Sequence, residues 1–311
     1  RAKAETRMLL TTLRKDLSFN GEMLSLVDTL KNIAGSQYHQ MEKEKERFEL
    51  FMTAFAEFFR VVDMANVDDP LVRVMSDNVG VLIVTSDSGF MGGLNQGVIR
   101  RALASVSAVP PSNVRFMLIG DKGAGVFDDQ GRPYEFFSGI GQEQGDIYRR
   151  AVEVKEFIVR NVLERHLGRV EVVYPRAKSF TSQTIEVSRL LPCAELFDRA
   201  AESEVARHTG VQRVIAEVQK VAVESDPSDM LQYLASVWTT SKLFEIFEDS
   251  KLAEFSARAM HLEGSVEKLE KQHKKLRQMV FKATHEQIDK GMREGYASKS
   301  LKEKLKKASA A

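Results

Sequence analysis

Residues 255–280 read FSARAMHLEGSVEKLEKQHKKLRQMV. Within them Phe255, Ala259, Leu262, Val266, Leu269, His273, Leu276 and Val280 recur at spacings of 4-3-4-3-4-3-4. An α-helix turns about every 3.6 residues, so these residues line one face, and the alternating spacing is the heptad seam of a coiled coil. Nothing in the surrounding sequence interrupts such a helix. Residues 228–311 contain no proline and three glycines, Gly264, Gly291 and Gly295. Proline costs about 3 kcal/mol inside a helix and glycine about 1 kcal/mol. One long C-terminal helix is therefore predicted over 228–311, opened by Asp226-Pro227-Ser228 with Ser228 as candidate N-cap. It ends in a basic tail, Tyr296–Ala311.

A seam needs a partner, and the other end of the chain supplies one. Leu10, Leu13, Leu17, Asn20, Leu24, Val27, Lys31 and Ala34 are spaced 3-4-3-4-3-4-3, with polar breaks at Asn20 and Lys31. Residues 1–65 hold no proline and read as an N-terminal coiled-coil helix. A folded segment between the two helices makes them antiparallel, so an intramolecular coiled coil is expected. The alternative is two amphipathic helices packed on the central segment. Phe48, Phe51, Phe55, Phe58 and Phe59 cluster where the first helix is expected to meet that segment.

All seven prolines lie between Pro70 and Pro227. Residues 77–192 alternate short apolar runs with amphipathic stretches. VGVLIVT at 79–85, VRFMLIG at 114–120 and VEVVY at 170–174 read as buried strands. Residues 94–104 and 146–166 read as helices, and Thr181–Leu191 as a last strand. This β-α-β order predicts a central three-layer, Rossmann-like α/β domain. Residues 193–227 are polar and weakly periodic, and read as a linker or short helix.

Composition narrows the function. The 311 residues carry 45 Lys+Arg against 44 Asp+Glu, a balance that argues against a nucleic-acid binder. The single cysteine, Cys193, excludes a disulfide scaffold and suits a reducing compartment. No apolar run approaches the roughly 20 residues that span a bilayer. Arg1 to Leu10 mix charge with aliphatics and carry no secretory pattern.

The sharpest local motif is Ser86-Asp87-Ser88-Gly89-Phe90-Met91-Gly92-Gly93-Leu94-Asn95, between a predicted strand and a predicted helix. Its glycines are compatible with a phosphate cradle at a helix N-terminus. The spacing fits neither of the two common nucleotide-loop patterns, so a tight structural turn is the other reading. No histidine set has metal-ligand spacing, and no nucleophile elbow occurs; no catalytic residue, metal site or bound cofactor is expected. His273 on the seam reads as a polar register residue rather than a ligand. The lysine-rich tail reads as a solvated helix end or as a contact to an acidic partner.

Taken together these features resemble the gamma subunit of F-type ATP synthases. The 86–95 loop is similar to the family's Ser/Thr-Asp-x-Gly-Leu-Cys-Gly-Gly-Leu-Asn signature, through Asp87, Gly89, Gly92, Gly93 and Asn95. YPRAKSFTSQTIEVSRLLP at 174–192 resembles the segment ending in Ser-Gln…Leu-Leu-Pro, and Glu224-Ser225-Asp226-Pro227 the family's Glu-Pro-Asp-Pro. Glu254-Phe255-Ser256-Ala257-Arg258 resembles Glu-x-x-Ala-Arg, Lys275-Leu276-Arg277-Gln278 the Arg-Gln motif, and residues 30–36 the Met-x-x-Val-Ala-Ala-Ser segment. Phe90 and Met91 replace the family's Leu-Cys, and Ser88 stands where a basic residue is common.

The resemblance implies a rotor shaft inside a ring of alpha and beta subunits. It implies a foot domain against the c-ring and the epsilon subunit, on the membrane surface that carries the head of the complex. Proton or sodium flow would turn the shaft, while ATP, ADP and magnesium would be bound by partner subunits. Leu30, Arg258, Arg277 and Gln278 would contact the moving beta segment. The rival readings are a coiled-coil adaptor of a specialised rotary complex and a nucleotide-binding enzyme using the 86–95 loop.

Overall fold

A computed structural model describes residues 2–59, 69–193 and 227–308. The described elements are α1 (Ala2–Phe59), β1 (Val79–Val84), α2 (Leu94–Ser105), β2 (Val114–Ile119), α3 (Asp121–Asp129), β3 (Glu135–Phe137), α4 (Gln144–Leu163), β4 (Arg169–Ser179), β5 (Ser182–Leu191) and α5 (Pro227–Ala308). The chain divides into two compact units. Arg1–Ile33 and Leu262–Ala311 form one, and Ala34–His261 the other.

The first unit is the antiparallel coil. Leu10 and Leu13 of α1 cluster with Leu276, Val280 and Ala283 of α5. Further along, Asn20 meets His273 and Lys31 meets Glu263, so residue numbers rise on α1 as they fall on α5. Within this unit each predicted seam residue of α1 from Leu10 to Lys31, and of α5 from Leu262 to Val280, is buried or half-buried; Ala34, Phe255 and Ala259 are buried in the second unit. The two polar breaks are accounted for. Asn20, only 4% exposed, places its Oδ1 3.2 Å from His273 Nδ1. The ring lies over Gly21, where a Cβ would sit 3.6 Å from His273 Cε1, an ordinary contact. Lys31 Nζ pairs with Asp28 at 2.8 Å and with Glu263 at 3.2 Å. Hydrogen bonding to these carboxylates, Asp28 foremost, raises the Lys31 pKa.

The second unit is an α/β domain. Its five described strands lie in the order β3-β2-β1-β4-β5. β1 pairs in parallel with β2 and β4, β2 pairs in parallel with β3, and β5 returns antiparallel to β4. Successive residues of β1 point to opposite faces, and both faces are covered. Val79, Val81 and Ile83 pack with Val98, Ile99 and Ala102 of α2 and Phe127 of α3. Leu82 and Val84 pack with Ile147, Ala151, Val154 and Ile158 of α4 and with Leu231–Phe255 residues of α5, Trp238 and Phe247 among them. Two-sided burial is why VGVLIV is apolar without alternation. Tyr38 and Met41 of α1 join this second core.

The expected three layers are present, with some differences of detail. α5 begins at Pro227, so Ser228 lies inside the helix rather than capping it; proline suits a first helical position, where its missing N–H has no partner to lose. β3 has three residues, too few to show a period. β4 runs on to Ser179, beyond the apolar VEVVY run. The side chains of Phe48, Phe51, Phe55, Phe58 and Phe59, most of the 193–227 linker, and the side chains of the tail beyond Lys299 fall outside the described residues.

Candidate functional site

The 86–95 loop leaves the carboxyl end of β1, at the edge where a parallel sheet usually holds its ligand. Its polar groups are turned on the fold itself. Thr85 Oγ1 donates to the Ile119 carbonyl at 2.7 Å and accepts the Gly123 N–H at 3.0 Å. The Ser86 N–H donates to Asn95 Oδ1 at 3.2 Å, and Asn95 Nδ2 donates back to Ser86 Oγ at 2.9 Å. Ser86 Oγ donates to the Ser88 carbonyl at 2.8 Å, and Asp87 Oδ1 accepts the Asp121 N–H at 3.3 Å.

Two glycines make this possible. Gly120 has φ +91°, and a Cβ there would lie 2.3 Å from the Thr85 carbonyl oxygen. A Cβ on Gly139 would overlap the Asp87 carboxylate. Beneath the loop, between Thr85, Met91, Asn95 and the α5 residues Ser250 and Glu254, remains a gap of about 10 Å³, room for about one water. Asp87 and Asn95 are thus fastenings, and the loop is built as a tight structural turn. Its tip is strained. Phe90 has φ +65°, uncommon for a side chain of that size, and the residue is 62% exposed while Met91 beside it is buried.

α5 meets the loop with a row of charges. Lys251 Nζ pairs with Glu254 Oε2 at 3.0 Å, and Glu254 Oε1 with Arg258 Nη2 at 2.6 Å. The same Nη2 donates to Ser88 Oγ at 2.6 Å, and the guanidinium carbon sits 5.9 Å from the centre of the Phe255 ring. The Arg258 side chain is 17% exposed. It is engaged inside the chain rather than extended into solvent.

The β4–β5 hairpin grips the long helices by contacts not expected from the sequence. Ser256 Oγ donates to the Phe180 carbonyl at 2.6 Å and accepts from Gln183. The Phe180 ring meets Tyr38 edge-on at 5.0 Å and stacks on His39 at 5.8 Å. Arg176 pairs with Asp249 and with Glu186, each at 3.2 Å. Burial opposes the Arg176 charge, yet Asp249 and Glu186 outweigh it, and its pKa lies above the ordinary value. Tyr174 lies beside them, and burial, reinforced by Asp249 and Glu186, holds its hydroxyl well above the usual tyrosine range.

In the coil unit Leu30 belongs to a wider pattern. Phe19, Met23, Leu26, Leu30 and Ile33 are spaced 4-3-4-3 on α1, a second heptad stripe beside the seam. Phe19 is 65%, Leu26 54%, Leu30 37% and Ile33 49% exposed. The sequence carries this spacing as a local pattern, masked by the stronger seam beside it. Arg277 and Gln278 are exposed on α5. Among the described residues there is no group of three or more His, Cys, Asp or Glu placed to hold a metal ion, and no helix long and apolar enough to cross a membrane.

A family model described as ATP synthase matches residues 11–294. The chain belongs to the ATP synthase gamma-chain family. It is similar to the ATP synthase gamma chain of Nostoc punctiforme, 27% identical over 64% of this chain and 67% of that one. It is also similar to that of Picosynechococcus, 26% identical over 58% of this chain and 62% of that one. The chain thus spans about two thirds of these curated relatives. Among solved structures it resembles a chain of the Euglena gracilis mitochondrial ATP synthase in rotational state 3, with TM-score 0.63 at 16% identity, over 94% of each chain. It also resembles a chain of the rotor of that enzyme in rotational state 1, with TM-score 0.61 at 13% identity, over 90% of this chain and 99% of that one. These two likenesses carry the fold. Gamma chains are non-catalytic subunits, which agrees with a loop whose polar groups are committed to its own structure.

Proposed function

We propose that this chain is the central-stalk rotor subunit of an F-type ATP synthase that translocates protons or sodium ions. The coil unit would be enclosed by the alpha and beta subunits, and the central α/β domain would bear on the c-ring and the epsilon subunit. The chain would then be peripheral to the membrane, on the side that carries the head. ATP, ADP and magnesium would sit on the partner subunits.

The observation that carries this reading is the coil's two-sided design. One seam is closed by α1 on α5 and pinned by the Asn20–His273 pair. The second stripe, containing Leu30, is left exposed. A shaft needs the first for stiffness and the second to engage what surrounds it. Leu30, Arg277 and Gln278 are the residues we assign to contact with the moving beta segment. Co-expression of the tagged chain with the alpha and beta subunits of its own organism tests the reading. A stoichiometric complex with ATPase activity is expected; recovery of the chain without either subunit would overturn it.

A further inference from the structure

The geometry points to Arg258 as an internal strut: we propose that it is a positioning residue that locks the 86–95 loop onto α5, so that sheet and helix turn as one piece. The inference rests on the rotor reading for its purpose, but its geometry lies wholly within Ala34–His261.

The loop has fastenings to β2, α2 and α3 through Thr85, Ser86, Asp87 and Asn95, all on the sheet side. None of those bonds reaches α5. The Ser88 hydroxyl does, accepting from Arg258 Nη2 at 2.6 Å. Hydrogen bonds to a charged donor are shorter and stronger than neutral ones. The donor is held in place: Glu254 orients it from one turn below, and Lys251 in turn holds Glu254. The Lys251 and Glu254 side chains are 7% and 10% exposed, so water screens that pair poorly, while the Arg258–Ser88 bond at the end of the row lies at the surface. The loop packs on Ser250 and Glu254 with almost no gap.

Gly92 lies beside His261 of α5, close enough that a Cβ on it would be 3.7 Å from the ring. Phe90 is held in a left-handed conformation that a free loop would relax. Ser88 therefore receives its cation from α5, and the guanidinium that makes this bond is committed inside the chain.

The test uses the full chain and the assembled complex. In the full chain, hydrogen exchange is followed at the amides of Ser86, Leu94, Asp121 and Lys122, which donate to Asn95, Met91, Asp87 and Ser86 and so report the loop's fastening. Arg258→Ala and Ser88→Ala should each speed exchange there by roughly tenfold, the double variant no more than either alone. Ser88→Thr, which keeps the hydroxyl, should retain protection. Fluorescence of Trp238, buried in the core, reports that the domain remains folded. In reconstituted vesicles both alanine variants should lower ion pumping per ATP hydrolysed by the same factor, again without additivity.

Two results would overturn the strut. One is additive effects in the double variant. The other is a Ser88→Ala chain with unchanged exchange and coupling while Arg258→Ala uncouples, which would place the arginine's role outside the chain. Failure of the wild-type chain to assemble would refute the rotor reading alone, because the exchange experiment decides the strut without the complex.

Discussion

Removing one member of the Asn20–His273 pair is the sharpest test of how the coil is specified. Asn20 is 4% exposed and its Oδ1 lies 3.2 Å from His273 Nδ1. Asn20→Ala deletes that bond and leaves an imidazole nitrogen facing an apolar seam. A lost hydrogen bond is worth about 0.5–1.5 kcal/mol, and a stranded buried polar group about 1–3 kcal/mol. A destabilisation of about 2 kcal/mol follows, roughly a thirtyfold rise in the opening constant. His273→Ala should cost as much or more, because the ring also packs over Gly21. With both removed, no partner is stranded, so the double variant should cost less than the sum by about 1 kcal/mol or more. Replacing both with leucine should stabilise the coil while weakening its register. The assay is hydrogen exchange at amides flanking positions 20 and 273 in the full chain, with urea denaturation alongside. Additivity of the two alanine variants within about 0.3–0.5 kcal/mol would refute the reasoning.

Gly139→Ala should destabilise the central domain by about 2–3 kcal/mol, since its Cβ would displace the Asp87 carboxylate; a denaturation midpoint equal to wild type would show that the loop yields freely. Tyr174 offers a pH test. Its folded pKa is raised, so its contribution is intact below the unfolded tyrosine value near 10. Above that pH the unfolded chain releases the proton first, and stability falls as pH rises. Tyr174→Phe should flatten that alkaline limb, and an unchanged limb would assign the loss to other groups. Arg277→Ala combined with Gln278→Ala should weaken coupling between ATP hydrolysis and ion pumping while leaving the fold intact, because both side chains are exposed. Unchanged coupling in reconstituted vesicles would count against their contact role.

The seams were legible because a heptad is a repeated local signal. Leu10 to Ala34 and Phe255 to Val280 each announce one face without reference to any other residue. Parallel strands buried on both faces were legible for a related reason, as VGVLIV at β1 shows. The fastening of the 86–95 loop was not. Arg258 and Ser88 are 170 positions apart, and neither residue type at either place demands the other. The same holds for Arg176 with Asp249 and for Ser256 with Phe180, pairs that only the docking of the β4–β5 hairpin on α5 creates. β3 escaped for want of length. The outward stripe from Phe19 to Ile33 was available as a spacing, but whether a second stripe is covered is decided by packing rather than by sequence.

Rotation is the most direct measurement of the central claim. Arg100 is exposed on α2, and a bead attached through Arg100→Cys in a Cys193→Ser background would report motion of the central domain while the alpha and beta ring is fixed to a surface. The account predicts unidirectional rotation that starts with ATP and stops when ATP is removed. A ring that hydrolyses ATP while the bead only fluctuates about one orientation would contradict it.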